Sequence, residues 1–311
     1  MKTTLTIILL LSAQLLMAQN DELLPSYKYD VKKVSIADEL SLAYVDEGDK
    51  KAPILLMVHG LGGYIKNWYP TIDGLKDSYR CIAVDLPGYG LSTLKDFEKD
   101  DYLEFFAESI NHFVKALKLK KVTLLGHSMG GQVSMVVALR QPKWLQKLIL
   151  AAPAGFETFA ESEANILKQY ASAQALMSHN EQQIRAAYQA NFVEMPPLAE
   201  EMIQDRLNAK KASWFEAYAK VREGGVYGML DHPVNQDLEK IKIPTYVIFG
   251  ANDQLIPNKF LHPGLTTEQV ANIGKKIPQV DITMIENAGH MLQMDNPESF
   301  NQAIKQVFIK N

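Results

Sequence analysis

The chain has 311 residues, 47% of them hydrophobic and 22% charged, with a net charge of −4 at pH 7. Those proportions suit a globular protein with a sizeable core, and the slight acidity leaves no electrostatic case for nucleic acid or an anionic membrane as partner. A single cysteine, Cys81, excludes an intramolecular disulfide, and no Cys and His cluster has zinc-ligand spacing.

The N-terminus differs from the rest. Met1-Lys2 is basic, residues 3–17 are uncharged and mostly apolar, and Ala18 is followed by polar and acidic residues. This predicts a signal peptide over residues 1–18, too short for a comfortable membrane span. The expectation is export, to the periplasm or beyond, with cleavage near Ala18 and no stable membrane anchor afterwards.

Residues 27–36 and 40–45 alternate with a period near two and predict an opening hairpin. The continuous apolar run 53–58 predicts a central strand covered on both faces. It ends in His59-Gly60-Leu61-Gly62-Gly63, and Trp68, Ile72 and Leu75 then predict a first helix. Residues 81–84 predict the next strand, with Cys81 as buried packing. The loop Asp85-Leu86-Pro87-Gly88-Tyr89-Gly90-Leu91-Ser92 is dense in turn formers. Leu103, Phe106, Ile110, Phe113, Val114 and Leu117 mark one face of an amphipathic helix.

A buried strand over 122–125 then runs into Gly126-His127-Ser128-Met129-Gly130-Gly131 and a helix. Gly126-x-Ser128-x-Gly130 has the form of a nucleophile elbow. A strand that reverses sharply into a helix strains the backbone at the serine and leaves no room for side chains two residues away. Another strand follows over 145–152.

From 157 to 238 the pattern changes. No strand is predicted, Ile184, Tyr188 and Phe192 lie four apart, and Trp214, Phe215, Tyr218 and Val221 share a helical face. Strands resume over 243–249 and 281–285, and Asn296-Pro297-Glu298 opens a last helix. The fold class expected is α/β: a mostly parallel central sheet flanked by helices. Residues 19–156 and 239–311 form its core, and 157–238 form an inserted helical cap.

In such a sheet, ligands bind at the carboxyl ends of the strands. Three of those ends carry Ser128, Asp253 and His290, in chain order. Ser128 is the expected nucleophile, His290 its general base and Asp253 the group that orients the imidazole. The backbone N–H groups of Leu61 and Met129 are the expected oxyanion donors. Glu286 and Asp295 flank the histidine but do not sit at the expected strand end. His59 is read as structural and His127 as packing beside the elbow. No cofactor or metal is required, because protein groups fill every role.

With its five motifs in this order, the chain resembles the α/β-hydrolase-fold serine hydrolases, of the esterase and lipase-like branch with a helical cap. The resemblance covers the chain from about residue 27 to its end, the insertion excepted. It implies a carboxylic ester hydrolase that works through an acyl-serine on a medium-sized or small apolar substrate. Look-alikes with the same triad cleave C–C bonds or proline peptides, and the fold also serves as a ligand-binding receptor. Serine at the elbow argues against the haloalkane dehalogenases and most epoxide hydrolases, which use aspartate.

Overall fold

The computed structural model describes residues 23–309. The segment read as a signal peptide, residues 1–18, lies outside them. In chain order the strands are β1 (Lys32–Ala37), β2 (Leu40–Glu47), β3 (Ile54–Val58), β4 (Arg80–Val84), β5 (Val122–His127), β6 (Leu145–Ala151), β7 (Thr245–Gly250) and β8 (Val280–Ile285). They form one sheet in the order β1-β2-β4-β3-β5-β6-β7-β8. The β1/β2 and β2/β4 pairs are antiparallel and every other pair is parallel.

Successive strand residues point to opposite faces. Four consecutive residues of β3, four of β4 and all of β5 are buried, so both faces of the sheet centre are covered. The edge strands β1 and β8 instead alternate half-buried with exposed residues, β8 up to its last position.

The helices of the core are α1 (Tyr69–Leu75), α2 (Tyr102–Ala116) and α3 (Met129–Leu139), followed beyond the insertion by α9 (Thr267–Ile273), α10 (Leu292–Asp295) and α11 (Pro297–Ile309). Between β6 and β7 lie α4 (Glu161–Tyr170), α5 (Ala173–Ser178), α6 (Glu181–Gln189), α7 (Pro197–Ala209) and α8 (Phe215–Asp231), with no strand among them. Local signals account for these spans. Asp101 caps α2 by accepting the Glu104 N–H at 3.1 Å, and Lys115 faces the dipole at its last turn. Leu103, Phe106, Ile110, Phe113 and Val114 are all buried on α2, each such side chain contributing about 1.5–3 kcal/mol. Trp68 belongs to a short 3-10 turn, Ile65–Trp68, that leads into α1.

The opening hairpin is shorter than its alternation suggests. Residues 27–31 do not pair as a strand. The Tyr27 hydroxyl donates to Asp85 at 2.7 Å and the Lys28 N–H to the Tyr69 hydroxyl at 2.9 Å. These contacts turn the segment towards the core before β1 begins.

At the centre, β5 reverses into α3 against β3 with no space to spare. A Cβ on Gly126 would stand 2.2 Å from the Gly130 carbonyl oxygen, and one on Gly130 would stand 2.4 Å from the carbonyl oxygens of Val58 and His59. These contacts are to backbone that the sheet holds in place. Gly126→Ala should therefore lower unfolding stability by about 1–3 kcal/mol or more. Gly264→Ala, where nothing lies within 4 Å, should change it by less than about 0.5 kcal/mol. Urea titration of the two variants beside the parent checks this, and equal midpoints would refute the packing argument.

Candidate active site

Ser128 occupies the turn between β5 and α3 with φ 53° and ψ −120°. This is a left-handed backbone conformation that non-glycine residues rarely adopt, and it is held here by the packing just described. The Ser128 N–H is tied to the Ala151 carbonyl of β6 at 3.0 Å. Its side chain keeps some accessible surface, whereas Asp253 and His290 are buried.

The structure brings the three residues together. His290 follows β8 and Asp253 follows β7, so adjacent parallel strands deliver them side by side. His290 Nδ1 lies 2.8 Å from Asp253 Oδ2 and His290 Nε2 lies 3.0 Å from Ser128 Oγ. Asp253 is an acceptor only, so Nδ1 carries the proton and Nε2 is left to accept the serine proton. The other Asp253 oxygen accepts the N–H groups of Leu255 at 2.8 Å and Ile256 at 3.0 Å. Burial alone would raise the pKa of this carboxyl. The neighbouring His290 and the two N–H donors outweigh burial and hold it below its ordinary value, so the group stays ionised.

Of the two expected oxyanion donors, Met129 lies on the helix that follows the serine and Leu61 on the loop after β3. Met129 opens α3, so its N–H is one of the helix-terminal donors without an intrahelical acceptor. The loop of Leu61 presses against the elbow: a Cβ on Gly60 would stand 2.9 Å from Ser128 Cβ. Among the described residues the Leu61 N–H has no acceptor. Both N–H groups are thus without an acceptor among the described residues.

Neutral imidazoles brace this arrangement. His59 donates from Nδ1 to the Gly60 carbonyl at 2.8 Å and accepts the Leu86 N–H on Nε2 at 3.0 Å. Burial pushes its pKa down to about 4. His127 donates from Nε2 to the His290 carbonyl at 2.9 Å, and burial, with His290 nearby, pushes its pKa down to about 3. Neither imidazole faces Ser128 Oγ within hydrogen-bond reach, and both hold backbone.

The flanking acids do other work. Glu286 is exposed. Asp295 accepts the Gly289 N–H at 2.7 Å and the Val193 N–H at 3.2 Å, which ties the histidine turn to the segment after α6. Asp85 accepts the N–H groups of Ile65 at 2.8 Å and Leu91 at 2.9 Å and the Tyr27 hydroxyl, and burial pushes its pKa up to about 7. The turn-former loop after β4 is thus a scaffold built on a buried carboxyl.

Ser128 and His290 open into a cavity of about 520 Å³ beneath the inserted helices. Of the methionines of the insertion, Met202 and Met229 line it, whereas Met177 lies at the surface, 39% exposed. Helix α8 crosses directly over the elbow on its glycines. A Cβ on Gly225 would stand 3.0 Å from the Met129 sulfur and one on Gly224 would stand 2.3 Å from the Tyr102 ring. Sequence patterning did not single out Gly224 and Gly225, nor the cavity-lining Arg206 and Arg222.

Known proteins share this architecture. A family model described as the alpha/beta hydrolase fold matches residues 53–297. The dihydrolipoyllysine-residue acetyltransferase component of the acetoin cleaving system of Cupriavidus necator is 26% identical over 271 residues, covering 86% of this chain and 66% of that protein. The chain thus spans just under two thirds of that relative's length. Monoacylglycerol lipase ABHD6 of Homo sapiens is 26% identical over 265 residues, covering 79% of this chain and 72% of the lipase. The crystal structure of a membrane phospholipase A, described as a bacterial virulence factor, superposes with a TM-score of 0.72 at 24% identity, covering 99% of this chain and 97% of that one. With the sheet order, the inserted helices and the family model in agreement over most of its length, the chain belongs to the alpha/beta hydrolase fold family.

Proposed function

We propose that the protein is an exported serine hydrolase that cleaves carboxylic esters through an acyl-Ser128 intermediate. The observation that carries this reading is the relay from Ser128 Oγ through His290 to Asp253, at 3.0 and 2.8 Å. The hydrolase family and the lipase among its relatives support the reaction class.

In this reading His290 Nε2 removes the Ser128 proton as Oγ attacks the ester carbonyl. The N–H groups of Leu61 and Met129 hold the resulting oxyanion, and the Asp253 carboxylate stabilises the imidazolium. His290 then returns the proton to the departing alkoxide, which leaves as an alcohol. A water molecule, deprotonated by the same nitrogen, attacks the acyl-serine and releases the carboxylic acid. One water is consumed per ester, and no group beyond the protein is required. The apolar side chains over much of the cavity suit an apolar acyl or alcohol portion.

Export rests on the basic start, the uncharged apolar stretch and Ala18. Among the described residues no helix is long and apolar enough to cross a membrane.

Hydrolysis of p-nitrophenyl esters from acetate to palmitate by the mature protein is expected, with a chain-length optimum set by the cavity. Ser128→Ala should lower kcat by at least about 10³-fold, and full turnover in that variant would eliminate the acyl-serine mechanism. Asp253→Asn should lower it on the order of 10⁴-fold, by favouring the wrong imidazole tautomer. Intact-mass measurement of the exported protein should show a mature chain starting near Gln19, and a chain retaining Met1 would remove the signal-peptide reading.

A further inference from the structure

The cavity holds a pair of charges that the ester reaction leaves unused. Arg206 of α7 and Arg222 of α8 both line it. Both lie at the loop that carries Leu61: a Cβ on Gly62 would stand 3.2 Å from Arg206 Nη2 and 3.6 Å from Arg222 Nε. Arg206 donates to the Gly62 carbonyl at 3.2 Å and to the Tyr218 hydroxyl, and its guanidinium lies 4.6 Å from the Tyr218 ring centre. Arg222 makes no hydrogen bond or ion pair with any described residue, and neither arginine has a carboxylate within salt-bridge distance.

The nearby acids are committed elsewhere. Asp205 is held by Lys66 at 2.7 Å and by the Tyr64 hydroxyl at 2.5 Å. Glu157, the carboxylate in the described cavity lining, accepts the Asn258 N–H at 2.9 Å and pairs with His262 at 2.6 Å. Tyr188, Tyr64 and Tyr89 supply no negative charge at neutral pH. Burial raises the pKa of Tyr188 to about 12 and pushes those of Tyr64 and Tyr89 further up. Two like charges in one half-buried wall repel each other. Burial first, and then Arg206 among the charges, pull the Arg222 pKa below its ordinary value. Such an arrangement is costly unless a counter-charge arrives. Guanidinium groups pair readily with planar and tetrahedral oxyanions through two parallel N–H donors.

We propose that Arg206 and Arg222 form an anion-binding subsite beside the oxyanion loop, and that the physiological substrate carries a fixed anionic oxygen group, a carboxylate or a phosphate, close to its scissile carbonyl. The catalytic half of this statement rests on the reading of Ser128 as the nucleophile, whereas the subsite itself does not. Apolar side chains, among them Leu167, Leu176, Ile184, Phe192 and Val226, make up much of the remaining cavity wall. The substrate is therefore amphiphilic: an apolar portion lies against the inserted helices, and an anionic portion sits between α7, α8 and the Leu61 loop. A neutral ester would fill the apolar part and leave both guanidinium groups uncompensated.

Calorimetric titration of the intact protein with glutarate and, separately, with glycerol phosphate tests the subsite and identifies which oxyanion it prefers. At least one is expected to bind, with affinity reduced tenfold or more in Arg206→Gln and in Arg222→Gln and partly restored in Arg222→Lys. Binding of neither anion, or binding unaffected by both Gln variants, would overturn the proposal. The second readout is the ratio of kcat/KM for mono-p-nitrophenyl glutarate to that for p-nitrophenyl hexanoate, which matches its length without the carboxylate. If glutarate is the anion bound, the ratio should exceed one in the parent and fall about tenfold to a hundredfold in Arg222→Gln. A matched loss on both esters with the ratio intact would make the arginine merely structural. If the parent hydrolyses no ester, the ester-hydrolase reading fails by itself, and the titration still decides the subsite.

Discussion

Everything in the site depends on the backbone reversal at Ser128. A residue with φ 53° and ψ −120° does not hold that shape unaided. It is fixed because β5 pairs with β3 on one side and β6 on the other, and because α3 leaves the sheet so tightly that Gly126 and Gly130 touch backbone. The strain, of order 1–3 kcal/mol, is small beside the burial of the central strands on both faces. The exposed hydroxyl and the free helix-terminal N–H of Met129 are two results of one constraint. Neither can be moved without moving β3.

A second layer of interactions fixes the loops around that turn, and its two imidazoles are neutral. His59 joins the Leu61 loop to the loop after β4, and His127 joins the elbow to the histidine turn. Both imidazoles sit where burial keeps them uncharged near neutrality. Asp85 anchors the 3-10 turn, the loop after β4 and the segment before β1 on one carboxyl. In the relay the ionised carboxylate of Asp253 is thus accompanied by neutral imidazoles. That arrangement reserves the electrostatic influence of the carboxylate for His290.

The parts legible in the sequence are those in which a residue type answers a local backbone demand. Glycines at 126 and 130, apolar runs for strands covered on both faces, and the chain order of Ser128, Asp253 and His290 all follow from geometry within a few residues or from strand order in a parallel sheet. The start of β1 was not legible, because the contacts of Tyr27 and Lys28 that turn the segment inward are with residues more than 40 positions away. Asp295 reads as a flanking acid in the sequence, yet its partners are Gly289 and Val193, the latter reached only through the insertion. Arg206 and Arg222 read as ordinary charges on helices. What distinguishes them is that no carboxylate among the described residues stands within salt-bridge distance of either, which no spacing along the chain can express.

The division of labour between the two halves of the molecule follows from the same physics. Groups that exchange a proton need distances held to a fraction of an ångström, and these stand at the ends of strands whose neighbours are bonded along their length. In the proposed reading, the groups that discriminate among substrates by shape and charge stand on the inserted helices. The insertion is fastened to the Leu61 region by polar contacts. Lys66, nearly fully buried, pairs with Asp205 of α7, and Arg206 bonds the Gly62 carbonyl. A substrate that engages the helices therefore acts on the same loop that presents the oxyanion donor. In the proposed readings, recognition at Arg206 and stabilisation of charge at Leu61 meet on neighbouring residues of one loop. Binding energy gained at one is well placed to hold the geometry of the other, which is how contacts remote from the reacting bond can contribute to the rate of the reaction.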